Sequence, residues 1–309
     1  MHTKSILFFL LLFGLFSCGN TTENTDNQPD PNQEEWVALF NGTDLEGWEI
    51  KITGFPMGEN HKNTFLVEDS ILKINYTEYD SFDSEFGHLY TVEPYSYYKL
   101  RTVYRFVGEQ VPGGASWNVR NSGIMLHSQS AGSLELDQDF PVSVEMQFLG
   151  GLEEGVDRHT ANVCTPGTAV YTDGELNLDH CIESDSKTYY GDQWVEVEAI
   201  VLGDSIIHHV MEGDTVLTMT KPMVDPDSIF INRNQPEADW PSFGISEPQG
   251  WIDRAGQLLS EGHIALQAES HPIQFKTVEL LNLKGCMDPE AKNYKSYYVA
   301  ADNSQCEYD

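Results

Sequence analysis

The sequence predicts an all-β fold, a jelly-roll sandwich of two antiparallel sheets. Apolar and polar residues alternate with a period of two in many short runs, which is typical of strands with one buried face. Turns rich in Gly, Asp and Asn separate the runs, as in Leu202-Gly-Asp204 and Glu212-Gly-Asp214. No long amphipathic helical pattern interrupts them. These observations favour a sandwich, whose ligand site usually lies on one concave face.

The alternating runs give the candidate strands in chain order. They are 65–75, 97–106, 122–127, 142–149, 194–202, 205–211, 215–220 and 263–267. All lie in one stretch, 36–284, that contains no internal linker. Its length of roughly 250 residues suits a single sandwich domain.

The start of the chain predicts export. A short basic start precedes an apolar run from Ile6 to Phe16, which is too short to cross a bilayer. The run ends in Leu15-Phe-Ser-Cys18, which resembles a bacterial lipobox. We interpret 1–17 as a lipoprotein signal peptide, Cys18 as the acylated first mature residue, and 18–35 as a disordered tether. A plain signal peptide is the alternative, and a lipid anchor on the periplasmic face or cell surface is the predicted localisation.

Four further cysteines predict disulfides, because their number is even and an exported protein meets an oxidising compartment. Of the three possible connectivities, local loop closure favours Cys164 with Cys181 and Cys286 with Cys306. A zinc site is the rival interpretation, although zinc sites use closer spacing. Residues 285–309 are then a small appendix closed by a disulfide, since they are too few to build a core.

The charge of the chain excludes one class of partner. With 49 acidic and 17 basic residues, the formal net charge is −32. Nucleic acid is therefore not expected to bind, because its phosphates would be repelled. Neutral glycans and cations remain acceptable partners.

Two apolar strands each carry a carboxylate and an amide two residues apart. Glu145 precedes Gln147, and Gln267 precedes Glu269. Residues i and i+2 of a strand face the same side, so each strand presents an acid beside an amide. Both groups hydrogen-bond well to hydroxyls. The pattern predicts a carbohydrate ligand.

Eight motifs in a fixed order carry a resemblance to a known family. The first is Trp36-Val-Ala-Leu-Phe-Asn-Gly-Thr-Asp-Leu-Glu-Gly-Trp48. The others are Phe86-Gly-His-Leu-Tyr-Thr91, Asn121-Ser-Gly-Ile-Met-Leu-His127, Val144-Glu-Met-Gln-Phe-Leu149, Gly191-Asp-Gln-Trp194, Ile207-His-His-Val-Met-Glu-Gly213, Gly262-His-Ile-Ala-Leu-Gln-Ala-Glu269 and Phe275-Lys-Thr-Val-Glu-Leu280. Together they resemble the bacterial 3-keto-disaccharide hydrolase family, over 36–283. The resemblance implies a concanavalin A-like sandwich.

The resemblance also implies a reaction. In a 3-keto glycoside the carbonyl acidifies the hydrogen on C2, so that a base can remove it; the anomeric substituent then leaves by β-elimination, and addition of water completes a net hydrolysis. His209, at the position of the family's His, is the candidate base, and Glu145 and Glu269 are the other candidate catalytic residues. The candidate substrate-binding residues are Arg105, Asn121, His127, Gln147 and Gln267. Arg105 or a divalent cation such as Ca²⁺ is expected to polarise the ketone.

Two other functions stay open at this point. Glu145 and Glu269 also suit a conventional two-carboxylate glycoside hydrolase, with an acid and a nucleophile or base. A non-catalytic glycan-binding lipoprotein is the second alternative. In it, sugar rings would stack on Trp117, Trp240 and Trp251.

Overall fold

The computed structural model describes residues 30–226 and 240–309. The predicted signal peptide, Cys18 and the tether up to residue 29 lie outside the described residues. Within the described ranges, no helix is long and apolar enough to cross a membrane. The longest α-helix there, α1 (Gln249–Ile252), has four residues.

Nineteen strands, β1 to β19, are described, and most lie in two antiparallel sheets. In spatial order, the first sheet contains β11 (Glu175–Asn177), β10 (Thr168–Thr172), β15 (Asp214–Val224), β14 (Ile206–Met211), β13 (Val195–Leu202), β6 (Tyr97–Phe106), β17 (Ile273–Asn282), β4 (Ile71–Ile74) and β3 (Phe65–Glu68), with β1 (Val37–Ala38) also paired to β17. The second sheet contains β12 (Cys181–Ile182), β9 (Asn162–Cys164), β8 (Val144–Leu149), β7 (Asn121–Ser128), β16 (His263–Ala268), β5 (Gly87–Thr91) and β2 (Trp48–Ile52). The predicted all-β, concanavalin A-like sandwich is confirmed.

Strand periodicity explains how the two sheets bury a common core. Along β6, residues alternate between half-buried and buried, and the buried ones include Leu100 and Tyr104. Val144 and Phe148 of β8 meet this core from the second sheet, where the rings of Phe148 and Tyr104 stack with centroids 4.1 Å apart. The core therefore lies between the sheets, and the other face of each sheet points outward.

One predicted strand is a hairpin. The run 65–75 divides into β3 and β4, which pair antiparallel across a tight turn. Asp69 and Ser70 form the turn with φ angles of 54° and 58°. Two successive left-handed residues give a turn whose twist matches that of the flanking strands, so the chain reverses there although its apolar pattern continues.

The segment before β1 follows the outer face of the first sheet. Lys99 of β6 donates to the carboxylate of Glu34 at 3.1 Å. Two residues further along, the guanidinium of Arg101 lies 4.2 Å from the ring of Trp36. The end of the predicted tether therefore packs on the domain from about residue 30 onward.

The appendix at 285–309 is held by the predicted disulfide between Cys286 and Cys306. A short parallel pair, β18 (Lys284–Gly285) and β19 (Ala300–Ala301), joins it to the end of β17. Lys295 of the appendix pairs with Glu35, so the appendix also holds the segment that enters the domain.

Candidate active site

The outer face of the second sheet carries the two predicted acid and amide pairs. In β8, Met146 faces the core, whereas Glu145 and Gln147 face outward. In β16, Leu266 and Ala268 face the core, which turns Gln267 and Glu269 outward as well. Only β7 separates these strands, so the structure brings both pairs together.

Gly123 of β7 makes room for the carboxyl group of Glu145. A Cβ atom at residue 123 would lie 2.5 Å from Oε1 of Glu145 and 2.9 Å from its Cγ. The side chain of Glu145 therefore leans across β7 toward the strand that carries Gln267. Any other residue at 123 would displace it.

The carboxyl groups lie in a cleft of about 1110 Å³ on this outer face. Its floor contains outward-facing side chains of the second sheet, its walls come from loops and turns, and most of its lining is aromatic, aliphatic or acidic. The lining residues are Phe86, Ser116, Trp117, Asn121, Asp139, Phe140, Glu145, Gln147, Leu149, Leu152, Arg158, Cys164, Pro166, His180, Cys181, Phe243 and Glu269. A mostly apolar cleft with a few converging polar groups is the usual form of a small-molecule site.

The predicted disulfide between Cys164 and Cys181 is confirmed and forms part of one wall. Cys164 pairs directly with Glu145 across β8 and β9, and Cys181 pairs with Cys164 across β9 and β12. The disulfide therefore fixes the short edge strand β12 beside the carboxyl groups.

Burial and mutual repulsion change the acidity of the two carboxyl groups. Burial raises the pKa of Glu145 to about 8, while the adjacent amide of Gln267 opposes this rise. Burial and then the charge of Glu145 raise the pKa of Glu269 well above its usual range, whereas Arg158 lowers it. Two close carboxyl groups titrate as a pair, and the second ionises less readily than the first. At neutral pH the pair therefore holds at least one proton.

Arg158 is the positive charge of the cleft. Its Nη1 donates to three backbone carbonyls, those of Val119, Arg120 and Gly150, at 2.7, 3.3 and 2.8 Å. Because these bonds fix the guanidinium, its charge acts on the carboxyl group of Glu269 from a fixed position in the cleft. No alternating pattern in the sequence points to Arg158, because it lies on a loop.

Amide groups near the carboxyl pair have free hydrogen-bonding capacity. Among the described residues, Oδ1 of Asn121 and both amide atoms of Gln267 are buried without a partner of good geometry. Gln147 differs, because its Oε1 accepts a bond from Asn162 at 3.2 Å. Buried polar groups normally have partners, so the free Oδ1 of Asn121, which lines the cleft, marks a place for a hydroxylated ligand, whereas the amide of Gln267 lies against Glu145.

His209 lies elsewhere, contrary to the prediction that it acts beside the carboxyl pair. It belongs to β14 of the first sheet and its side chain is fully buried between the sheets. Its Nδ1 bonds to the carbonyl of Ala161 at 2.9 Å, and burial lowers its pKa to about 4. Because His209 lies on the core-facing side of β14, its side chain does not reach the cleft.

Arg105 and His127 also lie outside the cleft. Arg105 is on the outer face of the first sheet, where Nε donates to Gln274 at 2.9 Å and the guanidinium lies over Trp194. His127 has a φ of 48°, next to an irregularity in the pairing of β7 with β16, and its Nε2 bonds to the carbonyl of Gly203 at 3.0 Å. The local twist breaks the strand alternation on which its prediction rested.

Of the three tryptophans proposed to stack on sugar rings, the structure places one in the cleft. Trp117 lines the cleft and is 54% exposed. Trp240 and Trp251 instead stack on each other, with centroids 6.4 Å apart, beside Val142. In the described ranges, no group of three or more His, Cys, Asp or Glu side chains is placed to hold a metal ion.

Comparison with known proteins gives one family match. The family model described as a 3-keto-alpha-glucoside-1,2-lyase-like domain matches residues 35–281. One similar solved structure is a candidate glycosyl hydrolase from Parabacteroides distasonis, with 18% identity over 80% of this chain and 94% of that chain and a TM-score of 0.45. A β-glucanase from Bacillus licheniformis has 10% identity over 81% of this chain and 99% of that chain, with a TM-score of 0.42. A carbohydrate-binding module from Bacillus subtilis has 8% identity over 81% of this chain and 98% of that chain, with a TM-score of 0.34. No curated protein matches the chain significantly. The family match spans both sheets and every residue that lines the cleft.

Proposed function

Because this chain belongs to the family of 3-keto-alpha-glucoside-1,2-lyase-like domains, which are glycoside hydrolases and lyases, we propose that it cleaves 3-keto glycosides in the cleft over its second sheet. The observation that carries the proposal is the carboxyl pair of Glu145 and Glu269, whose pKa values are raised by burial and by their mutual repulsion, so that one group ionises before the other. Such a pair contains both a base and an acid.

The ionised carboxylate of the pair takes the proton from C2 of the sugar. The electrons of the C2–H bond move toward the ketone and form an enediolate oxygen at C3. A fixed positive charge that stabilises this oxygen lowers the barrier, and Arg158 is the group available for it. Asn121 lines the same cleft, and its free Oδ1 is available to accept a hydrogen bond from a hydroxyl of the sugar.

Elimination uses the proton of the other carboxyl group. The electrons of the enediolate form a double bond between C1 and C2, the bond from C1 to the leaving oxygen breaks, and that oxygen takes the proton. One carboxyl group has now gained a proton and the other has lost one. The total charge of the pair is unchanged, so no counter-charge has to enter the buried site.

Addition of water reverses these roles. The carboxylate that gave up its proton takes one from water as the oxygen attacks C1, and the other carboxyl group returns a proton to C2. The pair then has its original protonation state. One site can thus perform both the lyase step and the hydration that completes hydrolysis.

The test is turnover of a 3-keto disaccharide and of its unoxidised counterpart in D2O, with and without a chelator. We expect only the 3-keto form to be cleaved, and we expect deuterium at C2 of the released 3-keto sugar, because the carboxyl proton exchanges with D2O when water enters the site before the addition step. Cleavage of the unoxidised form alone, without exchange at C2, would indicate the conventional two-carboxylate hydrolase. Binding of both sugars with no cleavage would indicate a glycan-binding protein.

We also propose that the protein is exported and attached to a bacterial membrane through a lipid on Cys18. The apolar run that ends at Cys18 supports this, and so do two disulfides, which persist in oxidising compartments. Labelled palmitate is expected in the wild-type protein and not in Cys18→Ser. Equal labelling of both would contradict the proposal.

A further inference from the structure

One wall of the cleft is an arc of aromatic rings. The ring centroid of Phe86 lies 6.3 Å from that of Trp117 and 4.8 Å from that of Phe140. The ring centroids of Phe140 and Phe243 are 6.2 Å apart. Phe140 is tilted by 45° against Phe86 and by 71° against Phe243. The planes of Phe86 and Trp117 lie within 12° of each other, whereas the rings of Phe140 and Phe243 turn away from them and enclose a volume instead of extending that flat face. The wall therefore has the shape of an apolar pocket.

The rim of the cleft is apolar as well. Leu152 lines the cleft and is 56% exposed, and Trp117 is 54% exposed. Large apolar side chains that stay exposed together at the mouth of a cleft mark a place where an apolar group binds.

The polar groups of the cleft are distributed unevenly. The floor holds the carboxyl pair with Gln147 and Asn121, enough to bond the hydroxyls of one sugar ring. The aromatic arc is accompanied in the lining by the polar residues Ser116, Asp139 and His180, and the ring of His180 lies 6.2 Å from that of Phe243. A second sugar ring buried there would leave several hydroxyls without partners, which is unfavourable in an apolar setting.

We propose that the aromatic arc binds the leaving group, and that the preferred substrates are 3-keto glycosides of apolar, aryl-bearing alcohols. This inference rests on the proposed function and names its substrate class. The sugar lies over the carboxyl pair, and its anomeric oxygen points toward the arc, so that the aglycone is buried against Phe140 and reaches Leu152 at the rim.

The experiment compares 2-phenylethyl 3-keto-glucoside with a 3-keto disaccharide of glucose. 2-Phenylethanol is less acidic than a sugar hydroxyl and is the poorer leaving group, so a higher kcat/KM for its glycoside cannot come from leaving-group chemistry and reports on binding. Burial of the phenyl ring is expected to make kcat/KM about tenfold higher for the phenylethyl glycoside. An equal or higher kcat/KM for the disaccharide would overturn the inference while leaving the proposed function intact.

A matched pair of variants locates the effect. Leu152→Ser is expected to raise KM for the phenylethyl glycoside about fivefold with little change in kcat, and to raise KM less for methyl 3-keto-glucoside, which has no large apolar leaving group. Leu136→Ser is the control, because Leu136 is 53% exposed and does not line the cleft. Equal effects of both variants would contradict the assignment.

Calorimetric binding of unoxidised 2-phenylethyl glucoside tests the pocket without turnover. Wild type and Leu136→Ser are expected to bind it several-fold more tightly than Leu152→Ser. If the wild-type protein turns over no 3-keto glycoside but still binds the phenylethyl glucoside more tightly than Leu152→Ser does, the proposed reaction is rejected and the apolar pocket is supported. Equal binding by all three proteins would reject the pocket.

Discussion

Replacing Glu145 with glutamine is expected to lower kcat/KM for a 3-keto glycoside about a thousandfold. Glutamine keeps the shape and hydrogen-bonding capacity of the side chain but can neither accept the C2 proton nor donate one. Glu269→Gln is expected to have a similar effect, because either substitution removes half of a proton-sharing pair. The double variant should then be little worse than each single one, since the two groups act as a unit.

Initial rates with a 3-keto glycoside measure this effect, and Arg105→Lys serves as the control. Arg105 lies on the outer face of the first sheet and should leave the rate unchanged. Near-normal activity of both glutamine variants would exclude the carboxyl pair from the chemistry.

Glu145→Gln is also expected to make the protein more stable at alkaline pH, by a few kcal/mol at pH ~9. Burial raises the pKa of Glu145 to about 8 from an ordinary value of 4.5, so the folded protein binds its proton more tightly than the unfolded chain does. The neutral acid therefore contributes most stability below pH 4.5, and this contribution is lost as the pH rises toward 8. Glutamine does not ionise and avoids the loss.

Denaturant unfolding at several pH values measures this difference. Wild type and Glu145→Gln should have similar unfolding free energies near pH ~4 and diverge as the pH rises. Glu198→Gln is the control, because Glu198 pairs with Arg101 on the outer face of the first sheet. A variant that is less stable than wild type at every pH would contradict the assignment of a buried, protonated carboxyl. The activity of the wild-type protein, unlike its stability, should rise with pH as the base ionises.

Strand alternation predicted part of the site because it depends only on the local chain. Glu145, Gln147, Gln267 and Glu269 face outward from regular stretches of strand, where parity is preserved. Alternation says which residues share a face, but it does not say whether that face meets the core or the solvent. His209 shows this limit, since its side of β14 turned out to be the core side.

Residues outside regular strands carried no usable pattern. Arg158 comes from a loop and Trp117, which was predicted only as a stacking aromatic of a glycan-binding protein, comes from a single 3₁₀ turn, so both reach the cleft through tertiary structure and not through strand alternation. His127 lies at a strand irregularity, where a positive φ redirects the side chain. The hairpin of β3 and β4 depends on two left-handed residues that an apolar pattern does not reveal.

The contacts of Glu34 and Trp36 with β6 determine from which side the chain approaches the domain. They lie on the outer face of the first sheet, whereas the cleft opens from the outer face of the second. A membrane attached to the segment before β1 would thus lie behind the first sheet. The full thickness of the sandwich would then separate that membrane from the opening of the cleft. A glycoside with a large aglycone could therefore approach the two glutamates from the open side of the cleft.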